Sequence, residues 1–161
     1  MKKKTETSLI KDKSVTSLEV RELKKHGNPN AIAPGKRPLS SMTPMMVTKG
    51  KKLYLVLGSP GGPRIITAVL QTLLNVLDYD MSIQQAVDAP RYHHQWLPDI
   101  LFVEPHTFSV TVSDQLREMG YHFKENEPWG AVEGIYIHPD THRLDGANDK
   151  RRPAGSAIGI N

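Results

Sequence analysis

Residues 53–77 read LYLVLGSPGGPRIITAVLQTLLNVL, and this stretch decides the fold. Leu53 to Leu57 are apolar almost without interruption, the pattern of a strand covered on both faces. At Gly58 the pattern breaks into Gly58-Ser59-Pro60-Gly61-Gly62-Pro63, a turn by composition. Beyond it Ile65, Ile66, Val69, Leu70, Leu73, Leu74 and Leu77 recur at helical spacing. Pro63 suits a first helical position, so a helix is predicted over 63–77. The stretch is thus a strand, a glycine turn and a helix in direct succession.

Working outward, Met45 to Thr48 reads as a second strand, joined to the first by a Lys49-Gly50-Lys51-Lys52 turn. Before it, Pro29, Pro34, Pro38 and Pro44 make residues 28–44 a long irregular loop, because proline removes ladder donors and restricts its predecessor. On the other side, Ser82 and Gln85 form a capping box that opens a short helix ended by Pro90. An aromatic loop follows, then a strand over 100–104, a helix over 111–119 capped by Gly120, and a strand over 121–124. Segments 131–138, 143–147 and 155–160 read as a short antiparallel meander. Consecutive strands mixed with two or three helices predict a layered α+β or α/β sandwich.

The length of 161 residues predicts one compact body, and 38% hydrophobic with 24% charged residues is an ordinary globular balance. The net charge of +4 resides entirely in residues 1–27, which hold eight Lys/Arg against four Asp/Glu; the remainder is neutral. That segment reads as a polar basic leader, disordered or partly helical, with the domain proper at 28–161. A folded part without a basic stripe argues against nucleic-acid binding. No apolar run is long enough to span a bilayer, and none after Met1 resembles a signal peptide, so the chain as written is expected to stay in the cytoplasm. The absence of cysteine excludes disulfides, thiolate metal sites and cysteine nucleophiles.

Three features bear on chemistry. In the Gly58–Gly62 turn, glycine allows successive backbone N–H groups to converge at the positive end of a helix, an arrangement suited to an anion or oxyanion. The same residues would serve a tight turn that needs glycine only for its dihedrals, and the residues alone leave both open. Neither a phosphate loop nor a Gly-x-Ser-x-Gly elbow fits, since Leu57 stands two before Ser59. Ser40 and Ser41, paired in the proline loop, offer hydroxyls to a carboxylate, or serve as an ordinary turn pair. His93 and His94 are adjacent on an extended segment and point apart, and Pro139 and Asp140 turn the chain between His138 and His142; no metal or cofactor is expected.

Taken together, the run Asn30-Ala31-Ile32-Ala33-Pro34-Gly35-Lys36-Arg37-Pro38-Leu39-Ser40-Ser41-Met42-Thr43-Pro44, the Gly58–Gly62 turn and the loop Ala89-Pro90-Arg91-Tyr92-His93-His94-Gln95-Trp96 closely resemble the small subunit of γ-glutamyltransferases, also called γ-glutamyltranspeptidases or glutathione hydrolases. The resemblance continues through Trp129-Gly130-Ala131-Val132-Glu133-Gly134 and Gly146-Ala147-Asn148-Asp149 and covers residues 29–160. It implies part of an N-terminal-nucleophile hydrolase fold, an αββα sandwich of antiparallel sheets flanked by helices. In that family the enzyme cleaves itself, and the freed N-terminal threonine attacks the γ-glutamyl amide of glutathione. The acyl group then passes to water or to an amino acid or peptide. The resemblance assigns the backbone N–H groups of Gly61 and Gly62 to the oxyanion hole, and Ser40, Ser41 and the adjoining Met42 to the substrate, its α-carboxylate above all.

The departures from the family pattern lie upstream of the proline loop. Where the family has its threonine nucleophile and the polar side chains that grip the substrate α-amino group, this sequence has the lysine-rich leader. Thr5, Thr7 and Thr16 stand in no Thr-Thr-His context, and no Asp-Asp-Phe-like segment occurs. The large subunit, with its carboxylate-binding arginine, has no counterpart here. The expectation is a truncated or degraded family member, inactive alone. Two alternatives are a separately encoded subunit of a working enzyme and a non-catalytic module that binds γ-glutamyl groups or glutamate. A fragment without its other layers exposes apolar surface and strand edges, so a homo-oligomer, most simply a two-fold dimer, is expected. Family members are often periplasmic or extracellular.

Overall fold

A computed structural model describes residues 34–36, 43–152 and 155–159. Ser40, Ser41, Met42 and the leader, with the boundary expected at Gly27, lie outside the described residues. The chain divides into two compact units, Met1–Ser40 and Ser41–Asn161, and every element below belongs to the second.

A four-stranded antiparallel sheet has the order β1-β2-β6-β7, with β1 at Met45–Lys49, β2 at Lys52–Gly58, β6 at Glu133–Ile137 and β7 at Leu144–Ala147. The β1–β2 hairpin turns at Gly50, whose φ of 64° suits a residue without a side chain. A register shift between Val47 and Thr48 pairs them with Leu55 and Leu53, so Tyr54 is the extra residue of a bulge. Among the described residues three α-helices accompany the strands: α1 at Ile65–Leu77, α2 at Ile83–Asp88 and α3 at Val110–Glu118. The capping box at α2 is present, with Ser82 Oγ accepting from the Gln85 amide and Gln85 Oε1 accepting from the Ser82 amide.

The core lies between this sheet and α1 and α2. Leu55 and Leu57 of β2 are 0% and 2% exposed and meet Ile65, Ala68, Val69 and Val76 of α1 and Ile83, Ala86 and Val87 of α2. The alternate face of β2, at Val56, is only half-buried, which corrects the expectation of a strand covered on both sides. Among the described residues only one face has a helical layer; the other borders an open cavity of about 890 Å³ that Val56 shares with Ile135, Leu144 and the 156–159 segment. Helix α1 likewise buries one stripe and leaves Ile66, Leu70, Leu74 and Leu77 exposed.

A second, three-stranded sheet has the order β3-β4-β5, with β3 at Tyr92–His93, β4 at Leu101–Val103 and β5 at Phe123–Glu125. Here β3 and β4 are antiparallel, while β4 and β5 run parallel, as the crossover through α3 requires. Residues 155–159 form no strand, contrary to expectation. With two glycines in Gly-Ser-Ala-Ile-Gly the segment has weak strand preference, and it crosses the sheet where Gly146 leaves room: a Cβ on Gly146 would stand 3.0 Å from that of Ala157.

Candidate functional site

The turn between β2 and α1 is built from Ser59 to Arg64. Gly61 has φ 144°, ψ 20° and Gly62 has φ 61°, both conformations that L side chains rarely adopt, so glycine is required at each. Gly62–Arg64 form a single 3-10 turn with Pro63 near its start, and α1 follows at Ile65. Neither glycine amide hydrogen-bonds to a described residue, and Gly61 is exposed. Two adjacent N–H groups thereby lack an acceptor among the described residues, ahead of a 13-residue helix whose first turn carries no acidic residue. Ser59, by contrast, is 3% exposed; its hydroxyl donates to the Pro60 carbonyl at 2.8 Å and accepts from the Ala131 amide at 3.3 Å. It braces the turn and is not presented as a nucleophile.

Against this turn lies the segment Trp129-Gly130-Ala131. Gly130, at φ 76°, lies next to Gly61: a Cβ on Gly61 would make an ordinary van der Waals contact with its Cα at 3.5 Å. The Arg64 guanidinium lies between two rings, 4.8 Å from the centroid of Phe102 and 4.9 Å from that of Trp129, and burial lowers its pKa.

Behind the segment is a buried network of four charges. Arg91 pairs with Asp149 at 2.7 Å, and Arg151 pairs with both Asp149 and Glu104. Glu104 also accepts from the Arg91 amide at 3.0 Å and the Trp129 amide at 3.2 Å, and Asp149 accepts from the Val132 amide at 2.8 Å. Burial pushes the Arg91 pKa down, helped by Arg151. For Asp149, burial opposes ionisation, but the Arg151 amide, the Arg91 guanidinium and the Val132 amide outweigh it and hold the carboxyl below its ordinary range. Two arginines and two carboxylates balance, which is how so many charges persist out of water.

The structure therefore brings Gly61 and Gly62 together with Arg64 and Trp129–Ala131, while Ser40, Ser41 and Met42 lie outside the described residues. His93 and His94 diverge as adjacency dictates: His93 is buried between Thr67 Oγ1 and Gln95 Oε1, each at 2.8 Å, and His94 meets Asp99 at 2.9 Å. The 138–142 stretch is a turn closed by the His142 amide on the His138 carbonyl, and His138 pairs with Asp145. Sequence reasoning missed Glu104 and Arg151 altogether and saw Arg91 and Asp149 only as parts of motifs. The available signal was four charged residues flanking apolar strands and a helix-ending proline, too common a pattern to single them out.

The family model described as gamma-glutamyltranspeptidase matches residues 10–159. A glutathione hydrolase proenzyme of Escherichia coli (strain K12) is 48% identical over 125 residues, covering 78% of this chain and 21% of that protein. One from Pseudomonas sp. (strain A14) is 44% identical over 141 residues, covering 83% and 24%. The crystal structure of a Helicobacter pylori gamma-glutamyltranspeptidase mutant superposes with a TM-score of 0.71 at 48% identity, covering 79% of this chain and 69% of that one. That of Bacillus anthracis transpeptidase CapD gives 0.66 at 25% identity, covering 79% and 75%. The chain thus spans between a fifth and a quarter of the length of these two curated relatives. Among the described residues no helix is long and apolar enough to cross a membrane. The α+β architecture is part of the N-terminal-nucleophile hydrolase sandwich, and the chain belongs to the gamma-glutamyltranspeptidase family.

Proposed function

We propose that this chain carries the oxyanion half of a γ-glutamyl acyl-transfer site and, alone, binds without turnover. In this reading the Gly61 and Gly62 amides receive the oxyanion of the tetrahedral intermediate, while Ser40, Ser41 and Met42 hold the substrate, with its α-carboxylate on the serine hydroxyls. Glutathione and related γ-glutamyl amides are the substrate class, by family resemblance. The observation that carries the reading is the pair of adjacent amides at positive φ with no acceptor among the described residues. Such donors contribute ~10² to 10³ in rate, whereas loss of a catalytic nucleophile costs about 10⁶ in kcat. Ser59, the nearest hydroxyl in sequence, is buried and engaged, so it does not replace a missing threonine. The test is hydrolysis of a γ-glutamyl anilide by purified chain of verified mass. No turnover is expected; turnover abolished by Gly61→Ala or Ser40→Ala would overturn the reading.

A second reading, a subunit completed by a separately made polypeptide bearing the threonine, is favoured by the uncovered sheet face around Val56 and Ile135. Activity that appears only when both pieces are co-expressed would establish it, and a co-purified but inactive pair would remove it.

A further inference from the structure

We infer that Arg91 is a positioning residue for the Gly61–Gly62 turn, acting through the Trp129 carbonyl and Gly130; the inference rests on the reading of that turn as an oxyanion site. Three consecutive residues, Trp129 to Ala131, run from Arg91 to the turn. Arg91 Nη1 donates to the Trp129 carbonyl at 2.9 Å. A Cβ on Gly130 would make ordinary contacts, 3.4 Å from Arg91 Nη1, 3.4 Å from Ser59 Oγ and 3.6 Å from the Pro60 carbonyl, so Gly130 lies between the guanidinium and the turn. The Ala131 amide closes the clamp on Ser59 Oγ.

Arg91 is itself anchored from three directions. Nη2 donates to Asp149 at 2.7 Å and to the Val87 carbonyl at the end of α2 at 3.0 Å, and the Arg91 amide donates to Glu104. The planar fork of a guanidinium serves the Trp129 carbonyl and Asp149 at once, which a lysine ammonium on a flexible stem cannot reproduce. A displacement of Arg91 is therefore passed through the Trp129 carbonyl along Trp129–Ala131, and by the Ala131 amide to Ser59 Oγ, which holds the Pro60 carbonyl next to Gly61. Amide direction decides whether two N–H groups converge on one atom, so a shift too small to unfold the core still disperses them.

The test compares the full wild-type chain with Arg91→Lys, which keeps a positive charge opposite Asp149, and with Ser59→Ala, which releases the far end of the clamp and leaves all four charges in place. Amide spectra report Gly61, Gly62 and Ala131, with the β1–β2 hairpin amides as an internal reference, and formate is the anion titrated. In wild type, formate is expected to shift the Gly61 and Gly62 amides. In both variants those resonances are expected to move, Ala131 to exchange about tenfold faster and formate affinity to fall about tenfold, the size of one displaced donor. The hairpin amides should stay in place, which a merely global loss of stability would not allow.

Unchanged Gly61, Gly62 and Ala131 amides in folded Arg91→Lys, with formate affinity intact, would overturn the positioning role while leaving the anion reading standing. Displaced turn amides in the variants with no formate response in wild type would sink the anion reading instead. If Arg91→Lys does not fold, Ser59→Ala decides: turn amides and formate affinity as in wild type refute the clamp.

Discussion

Arg91 and Asp149 are separated by 58 positions in sequence and by 2.7 Å in space, and at 2% and 0% exposure both are sealed from water. Truncating one partner strands the other charge, so Asp149→Ala or Arg91→Met is expected to cost about 3–5 kcal/mol. Replacing both together, as Arg91→Met with Asp149→Ala, should cost clearly less than the sum of the two single changes. Urea unfolding followed by tryptophan fluorescence measures each, and strict additivity would show that the pair is not coupled.

The same carboxylate sets an acid limit. Asp149 titrates below its unfolded value, so its contribution is fully present above about pH 4, the ordinary range of an aspartate, and is lost as pH falls through the lower folded pKa. The urea midpoint of wild type should therefore drop steeply below about pH 4. Asp149→Asn, weaker at neutral pH, should show a flatter acid limb, and an equally steep limb in that variant would assign the acid sensitivity elsewhere.

What was legible in the residues was local. The β1–β2 hairpin, the glycine turn into α1 and the Ser82–Gln85 box each announce themselves within one repeat of their own geometry, and each is present within a residue or two of its expected bounds. The charge network was not legible, because Arg91 meets Glu104 across 13 positions, Asp149 across 58, and Arg151 meets Glu104 across 47. No periodicity reports such pairings. The apolar run of β2 misled for a related reason: Val56 is as apolar as Leu57, but which face finds a covering layer depends on elements elsewhere in the assembly.

Gly134 of β6 is a glycine for reasons of space, not dihedral. A Cβ there would stand 2.9 Å from Ile83 Cδ1 and 2.9 Å from Leu57 Cδ2, so Gly134→Ala overpacks the contact between β6 and α2 and should cost about 1–3 kcal/mol. Ile83→Val deletes one of the two clashing methyls and alone should cost about 0.5–1.5 kcal/mol. The double substitution should be less destabilised than the sum, as read from thermal unfolding. A strictly additive double variant would mean that the strand shifts to relieve the clash and Ile83 is not the obstacle.

The uncovered face of the large sheet carries Met46, Val56, Ile135 and Gly146 in one cross-strand row, since Met46 pairs with Val56, Val56 with Ile135 and Ile135 with Gly146. Met46 is 76% and Ile135 44% exposed, an apolar band that among the described residues is crossed only at Gly146, by the 155–159 segment. Such a band favours burial against another molecule, and a two-fold pairing satisfies two copies at once. Sedimentation at micromolar concentration should find the wild-type chain self-associated, and Met46→Lys with Ile135→Lys should shift it to monomer without changing its far-ultraviolet dichroism. A wild-type monomer under those conditions would refute the prediction, and a variant that stays associated would move the interface to the exposed leucines of α1.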